Sequence, residues 1–320
     1  MRKVVFYFPG CGSERLFSDV GLATLAMLYE SGAQTVLPPG YLCCGYPQTS
    51  AGMHDTGQRI TTDNRVLFHR VANTLNYMDI KTVIVSCGTC MDQLQQYRFE
   101  QIFPGCRLLD IHEYLMEKGI KLDGVQGRRY LYHDPCHTPM KTYAPLAVAE
   151  DLLGAEVRLS DRCCGEAGTL AVSRPDIATQ IRFLKQRELQ QGLRELIGTD
   201  TAAGHDVKLL TSCPACQQGL SRYRDDTGLT AEYIVMELAN HLLGAQSAEQ
   251  PGRVIGIDQR SARLVHEDMR LPAGVATLAQ DLDRPVEQAG VAVAVGRVEQ
   301  AARQITGGEQ FLDQPEATVA

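Results

Sequence analysis

Val83-Ile84-Val85-Ser86-Cys87-Gly88-Thr89-Cys90-Met91-Asp92-Gln93-Leu94 and Lys208-Leu209-Leu210-Thr211-Ser212-Cys213-Pro214-Ala215-Cys216-Gln217-Gln218-Gly219-Leu220 are two copies of one pattern. Each reads as a short apolar strand, a Ser-Cys-x-x-Cys turn and an amphipathic run at helical spacing. Upstream of each lies a cysteine pair followed by glycine, Cys43-Cys44-Gly45 and Cys163-Cys164-Gly165. Upstream again lies one cysteine beside a proline, in Pro9-Gly10-Cys11 and Pro135-Cys136. A five-cysteine pattern therefore occurs twice, complete both times.

The spacing supports a duplication. Between Cys11 and Cys43 lie 31 residues, between Cys136 and Cys163 lie 26, and both sets close on a two-residue gap. The ends of the repeats also align, His112–Glu117 with Ala231–Glu237. Repeats are expected over 1–125 and 126–245, followed by a C-terminal extension over 246–320. In the first, strands are expected at Val4–Phe8, Gln34–Leu37 and Thr82–Val85, and helices at Asp19–Tyr29 and Thr56–Tyr77. Asp110 and Glu113 read as a capping box opening a helix that ends at Gly119. In the second, strands are expected at Arg129–His133 and Val207–Leu210, and helices at Leu146–Leu153, Asp176–Leu196, Pro214–Tyr223 and Ala231–Leu243, with a loop over Cys163–Gly168. Strands alternating with helices predict an α/β fold, with a small parallel sheet flanked by helices in each of two tandem, pseudo-symmetric repeats. Ligands on such sheets sit at the carboxyl ends of the strands, where this order puts Cys11, Cys87, Cys136 and Cys213. The extension holds no cysteine, no lysine and one aromatic, Phe311. Val254–Ile257 and Val291–Val295 are candidate strands there and Val298–Ile305 a candidate helix; the extension gives no functional reading.

Composition narrows the class. A chain of 320 residues is long enough for about two domains. Its net charge of −7, with no basic run, argues against nucleic-acid binding. The apolar start at Val4–Phe8 stops at Pro9, too short for a signal peptide, and no stretch approaches a membrane span. The expected setting is the cytoplasm, or the membrane periphery through a partner. Eleven cysteines in a reducing compartment favour metal or redox chemistry over a disulfide framework. Ten fall into the two sets; the eleventh, Cys106, reads as a small hydrophobe.

A Cys-x-x-Cys where a strand meets a helix N-terminus has its thiolates favoured by free backbone N–H groups. Three chemistries are compatible: a dithiol, zinc, or an iron–sulfur cluster. A dithiol leaves the Cys-Cys-Gly loops and Cys11 and Cys136 unexplained. Zinc takes four ligands, leaving one thiol spare in each set. Adjacent cysteines share one site only from a kinked loop, a freedom Gly45 and Gly165 supply. Clusters usually take four thiolates, and a fifth has a role where one sulfur bridges two irons.

The double set Cys11…Cys43-Cys44-Gly45…Cys87-Gly88-Thr89-Cys90 and Cys136…Cys163-Cys164-Gly165…Cys213-Pro214-Ala215-Cys216 resembles the cysteine-rich CCG domain, over residues 1–245. That domain occurs in the disulfide-splitting subunit of heterodisulfide reductase and in iron–sulfur subunits serving glycolate, lactate and glycerol-3-phosphate oxidation. The resemblance implies that Cys11, Cys43, Cys44, Cys87 and Cys90 hold one [4Fe-4S] cluster and Cys136, Cys163, Cys164, Cys213 and Cys216 a second, cubane or noncubane. In the reductase such clusters split a disulfide; many relatives serving flavin dehydrogenases have lost cysteines from one set, and this chain has lost none. The family's ferredoxin-type Cys-x-x-Cys-x-x-Cys-x-x-x-Cys module is absent, which implies a flavin- or ferredoxin-type partner subunit. The acceptor would be a small disulfide or a quinone. A zinc-binding scaffold or a dithiol redox protein is the alternative.

Neighbouring residues read more plainly. His133 and His137, flanking Cys136, read as hydrogen bonders in preference to proton relays. Gly10 and Gly12 fit close backbone approach to a cluster or a strand-end turn. His54 and Glu166 read as loop polars, and Arg15, Arg59, Lys141 and Arg182 as surface charges. No catalytic residue is assignable.

Overall fold

Parallel strands covered on both faces are written as unbroken apolar runs, and the chain contains several. The computed structural model describes residues 3–166 and 174–249. Strands β1 (Val4–Phe8), β2 (Gln34–Val36), β3 (Thr82–Val85) and β4 (Arg107–Asp110) form a parallel sheet in the order β2-β1-β3-β4. Strands β5 (Arg129–His133), β6 (Val157–Ser160), β7 (Val207–Thr211) and β8 (Thr230–Tyr233) form a second parallel sheet in the matching order β6-β5-β7-β8. Val5 to Phe8 and Val83 to Val85 are buried throughout. Parallel neighbours need long crossovers, supplied by helices Ser18–Glu30 and His54–Thr74 in the first half and Pro145–Leu153 and Pro175–Ile197 in the second. Residues 1–242 form one unit holding both sheets, and a second unit starts at Leu243.

Each half has its own core. In the first, Phe68 packs against Phe6 (centroids 5.1 Å apart) and Phe99 (5.7 Å). In the second, Leu131, Leu189, Leu193 and Leu209 close around Leu220 and Tyr223. Burying one such side chain is worth about 1.5–3 kcal/mol. In both sheets the strand order reverses between the two central strands, the place where parallel sheets open a crevice at their carboxyl ends.

The registers define which residues correspond. Phe8 pairs with Val85 and His133 with Thr211, each partner two positions before the first cysteine of its Cys-x-x-Cys. Val85 pairs with Asp110 and Thr211 with Tyr233. Asp110 and Tyr233 are therefore equivalent, so the sequence alignment of Glu113-Tyr114 with Glu232-Tyr233 is out of register. Ala231–Tyr233, expected as helix, belongs to β8, and the helix runs Ile234–Glu249. Pairing with β7 overrides the helix preference of Ala231 and Glu232. Strands β4 and β6 also lie where no strand was predicted. The capping box forms as expected: Asp110 caps Ile111–Glu117 with Glu113 reciprocating, and Gly119 follows at φ +69°. Ala167 and Gly168 of the predicted loop, and every element predicted beyond 249, lie outside the described residues.

Tyr233 joins the two sheets. Its hydroxyl lies 2.7 Å from the Ser86 carbonyl and 2.9 Å from the Ser212 carbonyl, the residues preceding Cys87 and Cys213. On either side Tyr7 bonds Ser86 Oγ (2.8 Å) and Tyr132 bonds Ser212 Oγ (2.9 Å), a pseudo-two-fold arrangement. Tyr233→Phe removes the shared donor in the interior, and the metal-free protein is expected to lose about 1–3 kcal/mol. A urea titration with unchanged slope and a lowered midpoint would register that loss; an unchanged midpoint would refute it.

Candidate metal centres

Each quintet is assembled from three segments at the carboxyl end of one sheet. Cys11 follows β1 and Cys87 follows β3; Cys136 follows β5 and Cys213 follows β7. Cys87 and Cys213 are extended (φ −159° and −136°) and precede helices Gly88–Leu94 and Pro214–Ser221. That conformation turns the chain from strand into helix within one residue and sets Cys90 and Cys216 one turn further on.

The Cys-Cys-Gly loops bend at glycine. Gly45 (φ +91°) and Gly165 (φ +83°) occupy the left-handed region, where a side chain would strain the backbone. The bend brings the Gly45 N–H to 3.5 Å from Cys43 Sγ and the Gly165 N–H to 3.4 Å from Cys163 Sγ. A tyrosine clamps each loop: Tyr97 donates to the Cys44 carbonyl (2.9 Å) and Tyr223 to the Cys164 carbonyl (3.2 Å). The predicted use of these glycines is what the backbone shows.

Burial follows one scheme in both quintets. Cys44, Cys87 and Cys90 are buried, as are Cys164, Cys213 and Cys216. Cys11 and Cys43 are half-buried, while Cys136 and Cys163 are exposed. Three sulfurs make a floor and two a rim, twice. Within the first set Cys11 acts on Cys43, Cys43 on Cys44, Cys44 on Cys90 and Cys90 on Cys87, each thiol shifting its neighbour. Within the second a hydrogen bond links Cys164 to Cys216 (3.3 Å between sulfurs), while Cys163 acts on Cys164 and Cys213 on Cys216 in the same way. Cys87 and Cys213 also meet, so the two floors share a wall. Cys136 senses Cys164 through charge instead of a hydrogen bond.

Backbone crowds the sulfurs. A Cβ on Gly10 would lie 2.8 Å from Cys90 Sγ, and one on Gly219 would lie 3.4 Å from Cys164 Sγ and 2.8 Å from Glu166 Cβ. Gly88 abuts the His137 carbonyl so closely that a Cβ would fall 1.6 Å from its oxygen.

The electrostatics are those of thiols in contact. Donation from Cys11 and then Cys44 lowers the Cys43 thiol to about 3, and the bond to Cys43 raises Cys44 to about 12. Donation from Cys213, then Cys90, holds Cys87 well below the thiol range, and donation from Cys163, then Cys216, does so for Cys164. Cys11, Cys90, Cys163 and Cys216 are pushed up, first by the neighbouring sulfur they donate to. Lowered and raised thiols thus alternate in contact, and thiols in contact ionise together only beside a cation. Ten sulfurs with this floor-and-rim geometry suit soft metal ions or a metal–sulfide core.

Other singled-out residues fall into place. His137, half-buried, bonds Asp92 through Nδ1 and Tyr46 Oη through Nε2 (3.0 Å), and Lys141 pairs with Asp92 (2.8 Å). His133 is buried as the last residue of β5. Glu166 is half-buried and pairs with Arg222 (2.8 Å), so it is no solvated loop polar. Arg15 stacks over Tyr41 (4.2 Å), Arg182 pairs with Asp226 (3.1 Å), and His54 and Arg59 are exposed. Cys106 packs beside the first core, and burial raises its thiol to about 11. Sequence reasoning missed Tyr46, Asp92, Tyr233 and Lys185. Lys185 alone had a signal, standing on the buried stripe with Leu189 and Leu193.

The chain is similar to known proteins over this region. The family model of the cysteine-rich domain, CCG, matches residues 5–95 and 130–221, together more than half of the chain. A domain of unknown function, DUF3400, matches residues 221–250. An uncharacterized iron–sulfur protein of Methanocaldococcus jannaschii is 26% identical over 246 residues, 74% of this chain and 46% of that protein. A fumarate reductase (CoM/CoB) subunit of Methanothermobacter marburgensis is 28% identical over 232 residues, 70% of this chain and 42% of that protein. A probable glycolate oxidase iron–sulfur subunit of Bacillus subtilis is 23% identical over 270 residues, 77% and 55% of the two chains. The chain spans about half the length of these relatives.

Because most of the ten sulfurs are protonated before a metal enters, uptake should release protons. Raised thiols must give up theirs, so affinity should rise with pH across the neutral range. Potentiometry during anaerobic loading of metal-free protein reads the release directly. Proton-neutral loading, or affinity that falls as pH rises, would contradict the charge pattern.

Proposed function

The chain belongs to the family of the cysteine-rich CCG domain, and on that premise we propose that it is an iron–sulfur subunit of an oxidoreductase, carrying electrons through two [4Fe-4S] clusters. Cys11, Cys43, Cys44, Cys87 and Cys90 would hold one, and Cys136, Cys163, Cys164, Cys213 and Cys216 the other. The observation that supports this reading is that both sets of five cysteines are complete and lie on segments that follow equivalent strands of two equivalent sheets. The donor set fits: five sulfurs per site exceed what zinc takes, and the glycine cradles leave no side chain between backbone and sulfur. Bound there, the clusters would supply and accept single electrons.

For the reaction we favour thiol–disulfide interconversion, because both sets are complete and each has a rim of two accessible sulfurs. A small disulfide would take two electrons and two protons, its S–S bond breaking to give two thiols, with electrons from a flavin- or ferredoxin-type partner subunit. A second reading, favoured by the glycolate oxidase relative, is transfer from a flavin-dependent 2-hydroxy-acid dehydrogenase toward quinone. Both treat residues 1–125 and 126–245 as cluster-binding repeats and leave 246–320 without a role. No helix among the described residues is long and apolar enough to cross a membrane.

Protein purified anaerobically should be brown, with about eight irons and eight sulfides per chain. Cys44→Ser or Cys164→Ser should remove or convert one cluster by EPR and leave the other; Cys106→Ala should change neither. Colourless protein carrying zinc would end the iron–sulfur reading. Reduced protein mixed with a small disulfide separates the two reactions: thiol formation supports the first, and electron exchange with the flavin subunit alone supports the second.

A further inference from the structure

The two centres are not chemically identical, and the difference lies at the last residue of the strand ahead of the lone cysteine. The first repeat has Phe8, fully buried and edge-on to Phe68 with centroids 6.0 Å apart. The second has His133 at the matching register, 1% exposed. His133 Nδ1 lies 3.2 Å from the Ser160 carbonyl and 3.3 Å from Lys185 Nζ. Lys185 already has three oxygen acceptors, Ser160 Oγ (2.6 Å), Glu188 Oε2 (2.8 Å) and the Ser160 carbonyl (3.4 Å). A carbonyl only accepts, so with the Lys185 ammonium engaged by its three oxygens the tautomer that satisfies Ser160 carries its proton on Nδ1. Nε2 is left with an open lone pair and has no hydrogen-bond partner in the interior.

That lone pair does not face apolar packing. A ring nitrogen of His133, Cys164 Sγ and Cys216 Sγ all lie within 4.8 Å of one another. Nδ1 is committed to Ser160, which makes Nε2 the available donor. Nε2 makes no hydrogen bond of normal geometry on this side, and an unpaired buried polar atom costs about 1–3 kcal/mol. A metal ion between them satisfies all three at once. Metal-bound histidines characteristically donate their other ring N–H to a backbone carbonyl, which fixes the tautomer and the ring, and the Ser160 bond does this here.

We propose that His133 Nε2 is a sixth protein donor to the second centre, which therefore binds its metal through nitrogen as well as sulfur, while the first centre is held by sulfur alone. The metal being iron rests on the iron–sulfur reading above; the donor set His133, Cys164 and Cys216 rests on position. The test is anaerobic reconstitution with iron-57, counting of iron and sulfide, and Mössbauer spectroscopy of the wild-type protein, His133→Phe and His133→Gln. The wild type should show one iron component of raised isomer shift, on the order of one-eighth of the absorption for two four-iron clusters. His133→Phe, which copies the first repeat, should lose that component, or lose about half the iron, with unchanged circular dichroism. Superimposable wild-type and His133→Phe spectra at equal iron content overturn the donor role. If the phenylalanine variant misfolds, His133→Gln is judged by the same two criteria. Wild-type protein that takes up no iron and sulfide defeats the cluster reading instead. X-ray absorption of the zinc-loaded protein then tests His133 alone, and a shell of sulfur only overturns it.

Discussion

Thiols packed sulfur to sulfur cannot all ionise, and much of this structure follows from placing ten of them where that limit binds. Donation from neighbouring sulfurs lowers the Cys43, Cys87 and Cys164 thiols against the opposing effect of burial, and raises the thiols that donate. Such an arrangement gains little as a hydrophobic core, since sulfur in contact with charged sulfur is poorly matched. It becomes favourable once multivalent cations enter and every thiol can turn anionic. The crowding therefore points to metal binding more directly than the cysteine count does.

The two sites are reached by duplication, but the duplication is tight only where the sulfurs are. Residues between the lone cysteine and the pair number 31 in one repeat and 26 in the other. That difference falls in the crossovers, around Ser18–Glu30 in the first repeat and Pro145–Leu153 in the second. The sheet order and the strand-to-cysteine offsets are the same. Loop closure depends only weakly on length, so crossovers tolerate such drift. A shift of one residue in β3 or β7 would instead turn Cys87 or Cys213 to the opposite face.

That contrast also explains what the sequence disclosed. The strand–Cys-x-x-Cys–helix units, the Cys-Cys-Gly bends and the capping box at Asp110 are local, and spacing alone exposes them. β4, β6 and β8 are four-residue edge strands, and no local period marks them. Tyr233 is the clearest loss. Read locally it belongs to a helix; in the sheet it ends β8 and holds the Ser86 and Ser212 carbonyls together. In the sequence His133 is one of two polar residues beside a cysteine. Only the β5–β7 register separates it from His137 and sets it against Cys164 and Cys216.

His137 shows why neither repeat is sufficient alone. Cys136 is exposed, and no sulfur hydrogen bond fixes it in the second quintet. Its position is set from the other half. The next residue, His137, is bonded to Asp92, which follows Cys90, and to Tyr46, which follows Gly45. The His137 carbonyl is pressed against Gly88, where no side chain has room. Glu113 reaches across as well, accepting from the Thr142 and Tyr143 amides at 2.6 and 2.9 Å. The fifth sulfur of the second set is thus placed by residues of the first, and the first set meets the second through Cys87 and Cys213. A chain cut between the repeats would lose these contacts, and with them what holds Cys136 in place.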